Sequence, residues 1–177
     1  MIEFESSKPE TFDVAAVDYE DDVDGTALRG YLAVPGDKWE RPLPAVVILP
    51  DWTGVDDYEK QRAELLKEAG YAAFAADIFG LEEQRELSVD ERIALITKYN
   101  SDPPTYVRRI QLAIEQVKAH MDVDMDEIAI IGYCFGGTGV VHYSFSEEED
   151  AKVAVAYHGS FSTFPAPQTT IKPYLLM

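Results

Sequence analysis

Gly-Tyr-Cys-Phe-Gly-Gly, at residues 132–137, places one cysteine among three glycines. The apolar run at 128–131 before it predicts a buried strand, and residues 138–145 after it can begin a helix. Glycines are needed at a strand-to-helix turn this tight, because side chains there would collide with the neighbouring strand and helix. A nucleophilic side chain held on such a turn is a nucleophile elbow, and Cys134 is the only cysteine in the chain. The pattern therefore predicts covalent acyl transfer through a cysteine thiolate.

Short apolar segments alternate with helical segments along the rest of the chain. Asp24 and Gly25 lie between two strand-like segments, 12–19 and 27–34, and predict a hairpin. Further strands are predicted at 44–49, 71–76, 152–157 and 173–177, and helices at 57–69, at 88–99 and from 102 onwards. This alternation favours an α/β fold with a mostly parallel sheet and helices on both of its faces.

Capping signals mark the ends of these helices. Ser88 and Glu91 form a capping-box pattern, and Asp102 precedes two prolines that suit a first helical turn. Gly70 predicts the end of the helix over 57–69. The apolar face expected on that helix comprises Tyr58, Leu65, Leu66 and Ala69. The apolar face expected on the helix after Asp102 comprises Val107, Ile110, Ile114 and Val117.

Three segments fall at the carboxyl ends of the predicted parallel strands, where such sheets bind their ligands. They are residues 49–52, the turn at Cys134 and residues 157–159. Tyr157 and His158 are therefore candidates for lining a pocket. Four further aromatic residues near the strand ends could form its walls or belong to the core: Trp52, Phe79, Tyr133 and Phe135.

The turn at Cys134 also indicates where an oxyanion would be stabilised. It is typical of the α/β-hydrolase fold, in which one N–H donor follows the nucleophile and a second lies in the loop after an earlier strand. These donors correspond to the backbone N–H groups of Phe135 and Trp52. The helix dipole at the turn favours a thiolate. The alternative is that Cys134 is a small buried core residue, as many lone cysteines are.

Three segments of the chain resemble the dienelactone hydrolases, and the resemblance spans roughly residues 14–177. Residues 44–55 read Pro-Ala-Val-Val-Ile-Leu-Pro-Asp-Trp-Thr-Gly-Val, and residues 70–80 read Gly-Tyr-Ala-Ala-Phe-Ala-Ala-Asp-Ile-Phe-Gly. The third segment is Ile-Ile-Gly-Tyr-Cys-Phe-Gly-Gly at 130–137. It is the most specific of the three, because most α/β hydrolases carry serine in the place of this cysteine.

The resemblance implies hydrolysis of a lactone or a carboxylic ester by a Cys-His-Asp triad, without a metal or another cofactor. It makes Cys134 the nucleophile and assigns the oxyanion hole to the backbone of Trp52 and Phe135. Better-known members of the family carry a glutamate where this chain has Asp51, and that carboxylate helps to generate the thiolate. Asp51 could modulate the nucleophile in the same way, or it could be a loop carboxylate that accepts hydrogen bonds from backbone N–H groups.

The acid and the base of the triad are not expected within these 177 residues. The chain order in this fold is nucleophile, acid, histidine, and in the family an aspartate follows the strand that corresponds to 173–177. We therefore expect one α/β-hydrolase domain over residues 1–177 with its C-terminal part missing. The histidines present suit other roles, since His120 ends a helix, His142 lies two turns beyond Cys134 and His158 suits a pocket. Asp77 is expected to cap the loop that follows its strand.

Composition restricts the partners and the compartment. Lys and Arg number 15 against 33 Asp and Glu, which gives a net charge of −18 and disfavours nucleic acid and anionic membranes as partners. One cysteine fits a reducing compartment, and the first residues show no secretory signal pattern, so we expect a cytoplasmic protein. The oligomeric state is left open.

Two alternatives to a hydrolase share the same cysteine. An acyltransferase would pass the acyl group to an acceptor other than water. A non-catalytic protein of this fold would use Cys134 for binding or for redox sensing. Arg85 and Arg92 are candidates for binding a substrate carboxylate, because they lie in the right part of the chain.

Overall fold

A computed structural model describes residues 14–120, 122–160 and 174–176 of the chain. The strands of the described part are β1 Ala15–Asp21, β2 Thr26–Ala33, β3 Leu43–Leu49, β4 Ala72–Ala75, β5 Val123–Tyr133, β6 Val153–Tyr157 and β7 Tyr174–Leu176. Its α-helices are α1 Asp57–Glu68, α2 Val89–Ser101, α3 Pro103–Lys118 and α4 Phe135–Ser144, and a short 3-10 turn covers Leu81–Gln84. Within those residues, no helix combines the length and the apolar character that a membrane span requires.

The described strands form one sheet in the order β1-β2-β4-β3-β5-β6-β7. The β1-β2 hairpin turns at Gly25, whose φ is 71°, and β2 runs antiparallel to β4. The remaining neighbours pair in parallel, which confirms the mostly parallel sheet. The predicted strands are confirmed with small shifts at their ends, although parts of the first and last predictions lie outside the described residues.

Helices α3 and α4 pack on the face of the sheet that holds the larger core. Ile110, Ile114 and Val117 of α3 are fully buried, as the helical spacing predicts, and Val107 is half-buried. Burying each of these side chains contributes about 1.5–3 kcal/mol to stability. The signals at Ser88 and Asp102 are also confirmed, since Ser88 and Glu91 form a capping box and the Asp102 side chain accepts a hydrogen bond from the Thr105 N–H. These caps fix where α2 and α3 begin beside the sheet.

Helix α1 covers the opposite face, and its buried side differs from the prediction. Tyr58 and Leu65 are 42% and 48% exposed, whereas Glu59 and Ala63 are buried. Leu66 packs with Ala63 against the sheet, as expected. Glu59 belongs to a second capping box, in which its carboxyl oxygen accepts from the N–H of Asp56, and it shares the inward side of α1 with Ala63 and Leu66.

A cluster of four charged side chains joins the hairpin to α3. Asp21 and Arg109 are both fully buried, and the Asp21 carboxylate accepts from Arg109 Nε at 2.6 Å. Arg109 Nη2 donates to Asp24 at 2.8 Å, and Arg108 donates to Asp21 at 2.9 Å. Burial alone would raise the pKa of Asp21, but the hydrogen bonds from Arg108 and Arg109 hold it below its usual value. The cluster therefore ties the antiparallel edge of the sheet to the helical layer by paired charges.

Candidate active site

Cys134 lies alone between a strand and a helix. Strand β5 ends at Tyr133 and α4 begins at Phe135, so Cys134 is the N-cap of α4. Its φ of 53° and ψ of −108° fall outside the favoured regions for a residue with a side chain, a strain of about 1–3 kcal/mol. The Cys134 N–H donates to the Tyr157 carbonyl at 3.0 Å, which fastens the turn to the end of β6. Backbone strain of this kind accumulates where function requires one side chain to be presented.

The glycines around Cys134 lie against neighbouring backbone. A Cβ on Gly132 would come within 2.2 Å of the Gly136 carbonyl oxygen, and one on Gly136 within 2.4 Å of the Leu49 carbonyl oxygen. A Cβ on Gly137 would meet the Tyr157 carbonyl oxygen at 2.8 Å. These positions therefore tolerate no side chain, which confirms the reason for the glycine pattern.

The side chain of Phe135 anchors the start of α4 in the core. Its ring stacks on Tyr106 at 4.6 Å between centroids and on Phe79 at 4.9 Å. The Tyr106 hydroxyl donates to the Phe135 carbonyl at 2.9 Å. Phe79 and Phe135 thus belong to the core, and Phe135 also borders the cleft above the turn. The N–H of Phe135 belongs to the first turn of α4, where helical N–H groups lack partners within the helix.

The loop after β3 runs beside this turn, because Leu49 pairs in register with Gly132. The Asp51 carboxylate accepts from the Thr53 N–H at 2.7 Å and from the Thr53 hydroxyl at 2.6 Å. The Gly54 N–H donates to the Asp51 carbonyl at 3.3 Å. Arg92, from α2, donates to the carbonyl oxygens of Thr53 at 2.5 Å and Trp52 at 3.4 Å. The loop that carries the Trp52 N–H is therefore held from both ends.

An open cleft of about 360 Å³ lies above the turn. Its described lining comprises Trp52, Ile96, Asn100, Cys134, Phe135, Thr138, His158 and Ser160. The cleft thus brings together four residues that the sequence indicates: Trp52, Cys134, Phe135 and His158. Ile96 and Asn100 of α2 carry no sequence motif, and only the packing of α2 over the strand ends brings them here.

Two predicted site residues point elsewhere. Tyr157 is not among the described residues that line the cleft: its ring stacks on Tyr133 at 4.8 Å and is 47% exposed. Tyr133 packs with the smaller core below α1, and paired residues of adjacent strands share a face. A place for the Tyr157 side chain in the pocket therefore stays a prediction, while its backbone carbonyl accepts from the Cys134 N–H. Asp51 forms its described hydrogen bonds within the loop, as a loop carboxylate that accepts from a backbone N–H group would.

Three other titratable residues considered in the sequence analysis are buried or hydrogen-bonded within the fold. Burial lowers the pKa of His142, on α4, to about 4. His120 Nδ1 accepts from the Asp122 N–H in the turn after α3. Asp77 caps the loop after β4, as predicted, accepting from the N–H groups of Gly80 and Arg29, and burial raises its pKa.

Glu59 is the buried carboxyl group nearest in sequence to the loop after β3. Burial raises its pKa to about 8 from an ordinary value of 4.5. The hydrogen bond from the Asp56 N–H opposes this rise, and the negative charge of the Asp56 carboxylate adds to it. Glu59 consequently stays protonated in the folded protein at neutral pH and ionises on unfolding. Its contribution to stability is complete below pH 4.5 and is lost progressively as the pH rises to about 8.

Glu59→Gln is therefore expected to raise the free energy of unfolding at pH 7.5 by up to about 4 kcal/mol. The gain should disappear at pH 4, because the glutamine mimics the protonated acid. Urea unfolding at both pH values measures the difference, with Glu68→Gln, an exposed change on the same helix, as the control. An equal change at both pH values would contradict the buried, protonated state of Glu59.

The sheet is mostly parallel, and a strained cysteine lies between β5 and α4 beside a held loop. This arrangement defines an α/β-hydrolase-fold protein. A model of the dienelactone hydrolase family matches residues 28–174. The chain belongs to the dienelactone hydrolase family.

Two curated proteins and one solved structure illustrate the likeness. The chain is 32% identical over 96 residues to a Bradyrhizobium protein named "Probable 2-oxo-3-(5-oxofuran-2-ylidene)propanoate lactonase", covering 54% of this chain and 38% of that protein. It is 28% identical over 139 residues to an Aquifex aeolicus protein named "Putative carboxymethylenebutenolidase", covering 76% and 58% respectively. The crystal structure of a dienelactone hydrolase-like promiscuous phosphotriesterase from metagenomic libraries shares 29% identity and a TM-score of 0.75, covering 85% of this chain and 60% of the other. The chain thus spans about 40–60% of the length of these relatives.

Proposed function

We propose that this protein cleaves a lactone or a carboxylic ester through an acyl-thioester on Cys134. The observation that carries the proposal is the glycine-bounded turn that presents Cys134 to the cleft beside the loop of Trp52. Two features of the family support it: the match over residues 28–174 and a relative named as a lactonase. A cleft of about 360 Å³ is within the range of volumes that hold small-molecule ligands.

The described residues supply the nucleophile and two candidate oxyanion donors for the acylation half-reaction. The proton of the Cys134 thiol passes to solvent as the thiolate forms. The Cys134 thiolate attacks the carbonyl carbon, a C–S bond forms, and the carbonyl oxygen becomes an oxyanion that the N–H groups of Trp52 and Phe135 receive. Collapse of this intermediate restores the C=O bond and breaks the C–O bond to the leaving alkoxide, which takes up a proton from solvent. Water then attacks the thioester in the second half-reaction, with a general base to accept its proton.

Acylation can be tested without knowing the natural substrate. On mixing with p-nitrophenyl acetate, we expect a burst of p-nitrophenolate and one acetyl group on the peptide that contains Cys134. Cys134→Ala should remove both signals, because no other described residue lies on the strained turn between β5 and α4. Acetyl groups found only on lysines, or a burst of the same size in the alanine variant, would overturn the proposal.

A further inference from the structure

We propose that Arg92 is a positioning residue that keeps the Trp52 N–H directed at the developing oxyanion, an inference that rests on the proposed function. Arg92 lies in the first turn of α2, one residue beyond the capping box of Ser88 and Glu91. That box fixes where the helix begins, and its first turn faces the loop after β3. From there Arg92 Nη1 donates to the carbonyl oxygens of Thr53 at 2.5 Å and Trp52 at 3.4 Å.

Three consecutive peptide groups of this loop are held in place. Each peptide group is planar, so fixing its carbonyl oxygen also fixes the direction of its N–H. The peptide group that carries the Trp52 N–H is held by the Gly54 N–H, which donates to the Asp51 carbonyl at 3.3 Å. The next two peptide groups, with the carbonyl oxygens of Trp52 and Thr53, are held by Arg92. Without Arg92, the second group would keep only the bond from the Thr53 N–H to the Asp51 carboxylate, and the third only the bond from the Gly54 N–H to the Asp51 carbonyl, so the carbonyl oxygens of Trp52 and Thr53 would lose their described restraint.

The charge of Arg92 suits this role. A peptide group that rotated in the loop would present a carbonyl oxygen, rather than an N–H, to a developing anion and would repel it. A guanidinium hydrogen bond to a carbonyl oxygen is charge-assisted and resists such a rotation. Arg92 is not among the described residues that line the cleft, and its described hydrogen bonds go to the loop backbone, which suits a role behind the loop.

Two electrophilic reagents distinguish an effect on the oxyanion donor from an effect on the reactivity of the Cys134 thiol itself. Acylation by p-nitrophenyl acetate passes through an oxyanion, whereas alkylation by iodoacetamide displaces iodide without forming one. Arg92→Gln should slow acylation of Cys134 by about 10- to 100-fold, below the 100- to 1,000-fold loss seen when an oxyanion donor is removed outright. Alkylation of Cys134 should stay within about twofold of the wild-type rate.

The matched variants are Arg92→Lys and Lys98→Gln. Lysine retains a charged donor and should recover part of the acylation rate, and it serves as the test if the glutamine variant does not fold. Lys98 is exposed on the same helix, so its replacement should change neither rate. Equal acylation rates in the wild type and both Arg92 variants, or equal slowing of acylation and alkylation, would overturn the inference. A wild-type protein that is alkylated but never acylated would instead overturn the proposed function and the inference with it.

Discussion

Replacing Arg109 by methionine should lower the free energy of unfolding by about 3–5 kcal/mol, the loss typical of removing one partner from a buried ion pair. Asp21 and Arg109 are both fully buried, and Asp21 would keep the Val23 N–H and, as its remaining cationic partner among the described residues, Arg108, whose side chain is 28% exposed. Asp24 would lose its partner at 2.8 Å as well. Methionine fills a similar volume, so the loss would report the charge rather than a cavity. Urea unfolding at pH 7 measures it.

The pH dependence and a double variant identify the cause. The ionised Asp21 stabilises the fold above pH 3.8 and ceases to do so as the pH falls through its lowered pKa, so the deficit of Arg109→Met should shrink in acid. Asp21→Asn combined with Arg109→Met should cost less than the sum of the two single changes. Arg85→Met removes an exposed pair with Glu91 and should cost less than about 1 kcal/mol. A deficit that did not depend on pH would argue for lost packing instead.

Gly136→Ala is expected to have the second large effect, on stability and on acylation together. The added Cβ would lie 2.4 Å from the Leu49 carbonyl oxygen and 2.6 Å from that of Pro50. Both obstacles are backbone atoms, so β3 or α4 must move, at a cost of about 3 kcal/mol, the upper end of the range for overpacking. The movement would separate the Trp52 loop from the Phe135 N–H, and the acetyl burst should vanish.

Gly36→Ala is the matched control, because Gly36 is exposed and a Cβ there would meet nothing within 4 Å. Thermal unfolding and the p-nitrophenolate burst should be unchanged in this variant. If Gly136→Ala retained both the wild-type stability and the full burst, the close approach of α4 to the β3 loop would not be essential to the site.

The elements that the sequence predicts well are those with local causes. The glycines that mark the Cys134 turn are adjacent in sequence, although the backbone that crowds Gly136 belongs to Leu49 and Pro50. The helix starts at Ser88 and Asp102 are set by side chains within three residues of them. The buried side of α1 instead includes Glu59, which folds back on Asp56, so the apolar residues Tyr58 and Leu65 misled the prediction. The spacing of apolar residues predicts which side of a helix is buried, but it does not reveal that a capping residue such as Glu59 lies on that side.

The candidate site likewise contains residues that sequence patterns indicate and residues that only tertiary packing brings there. The sequence points to Trp52 and Phe135 from the position of Cys134, because α/β-hydrolase folds place N–H groups at the corresponding positions beside their nucleophile. Arg92 is 40 residues from Trp52 in the chain, and Asn100 reaches the cleft only because α2 crosses the strand ends. Contacts of this kind depend on tertiary packing, and no pattern in neighbouring residues records them.

The use of peptide groups at the Cys134 turn has a consequence for how this site can change over evolutionary time. Donors made of backbone cannot be deleted by a single codon change, since every residue except proline carries the same N–H. Mutation can therefore replace the side chain at position 134, or those around the cleft, while the backbone N–H groups are retained with the fold. Substitutions at lining residues such as Ile96 and Asn100 would change which substrates the cleft accepts. The glycines around Cys134 are the positions where a side chain would not be tolerated.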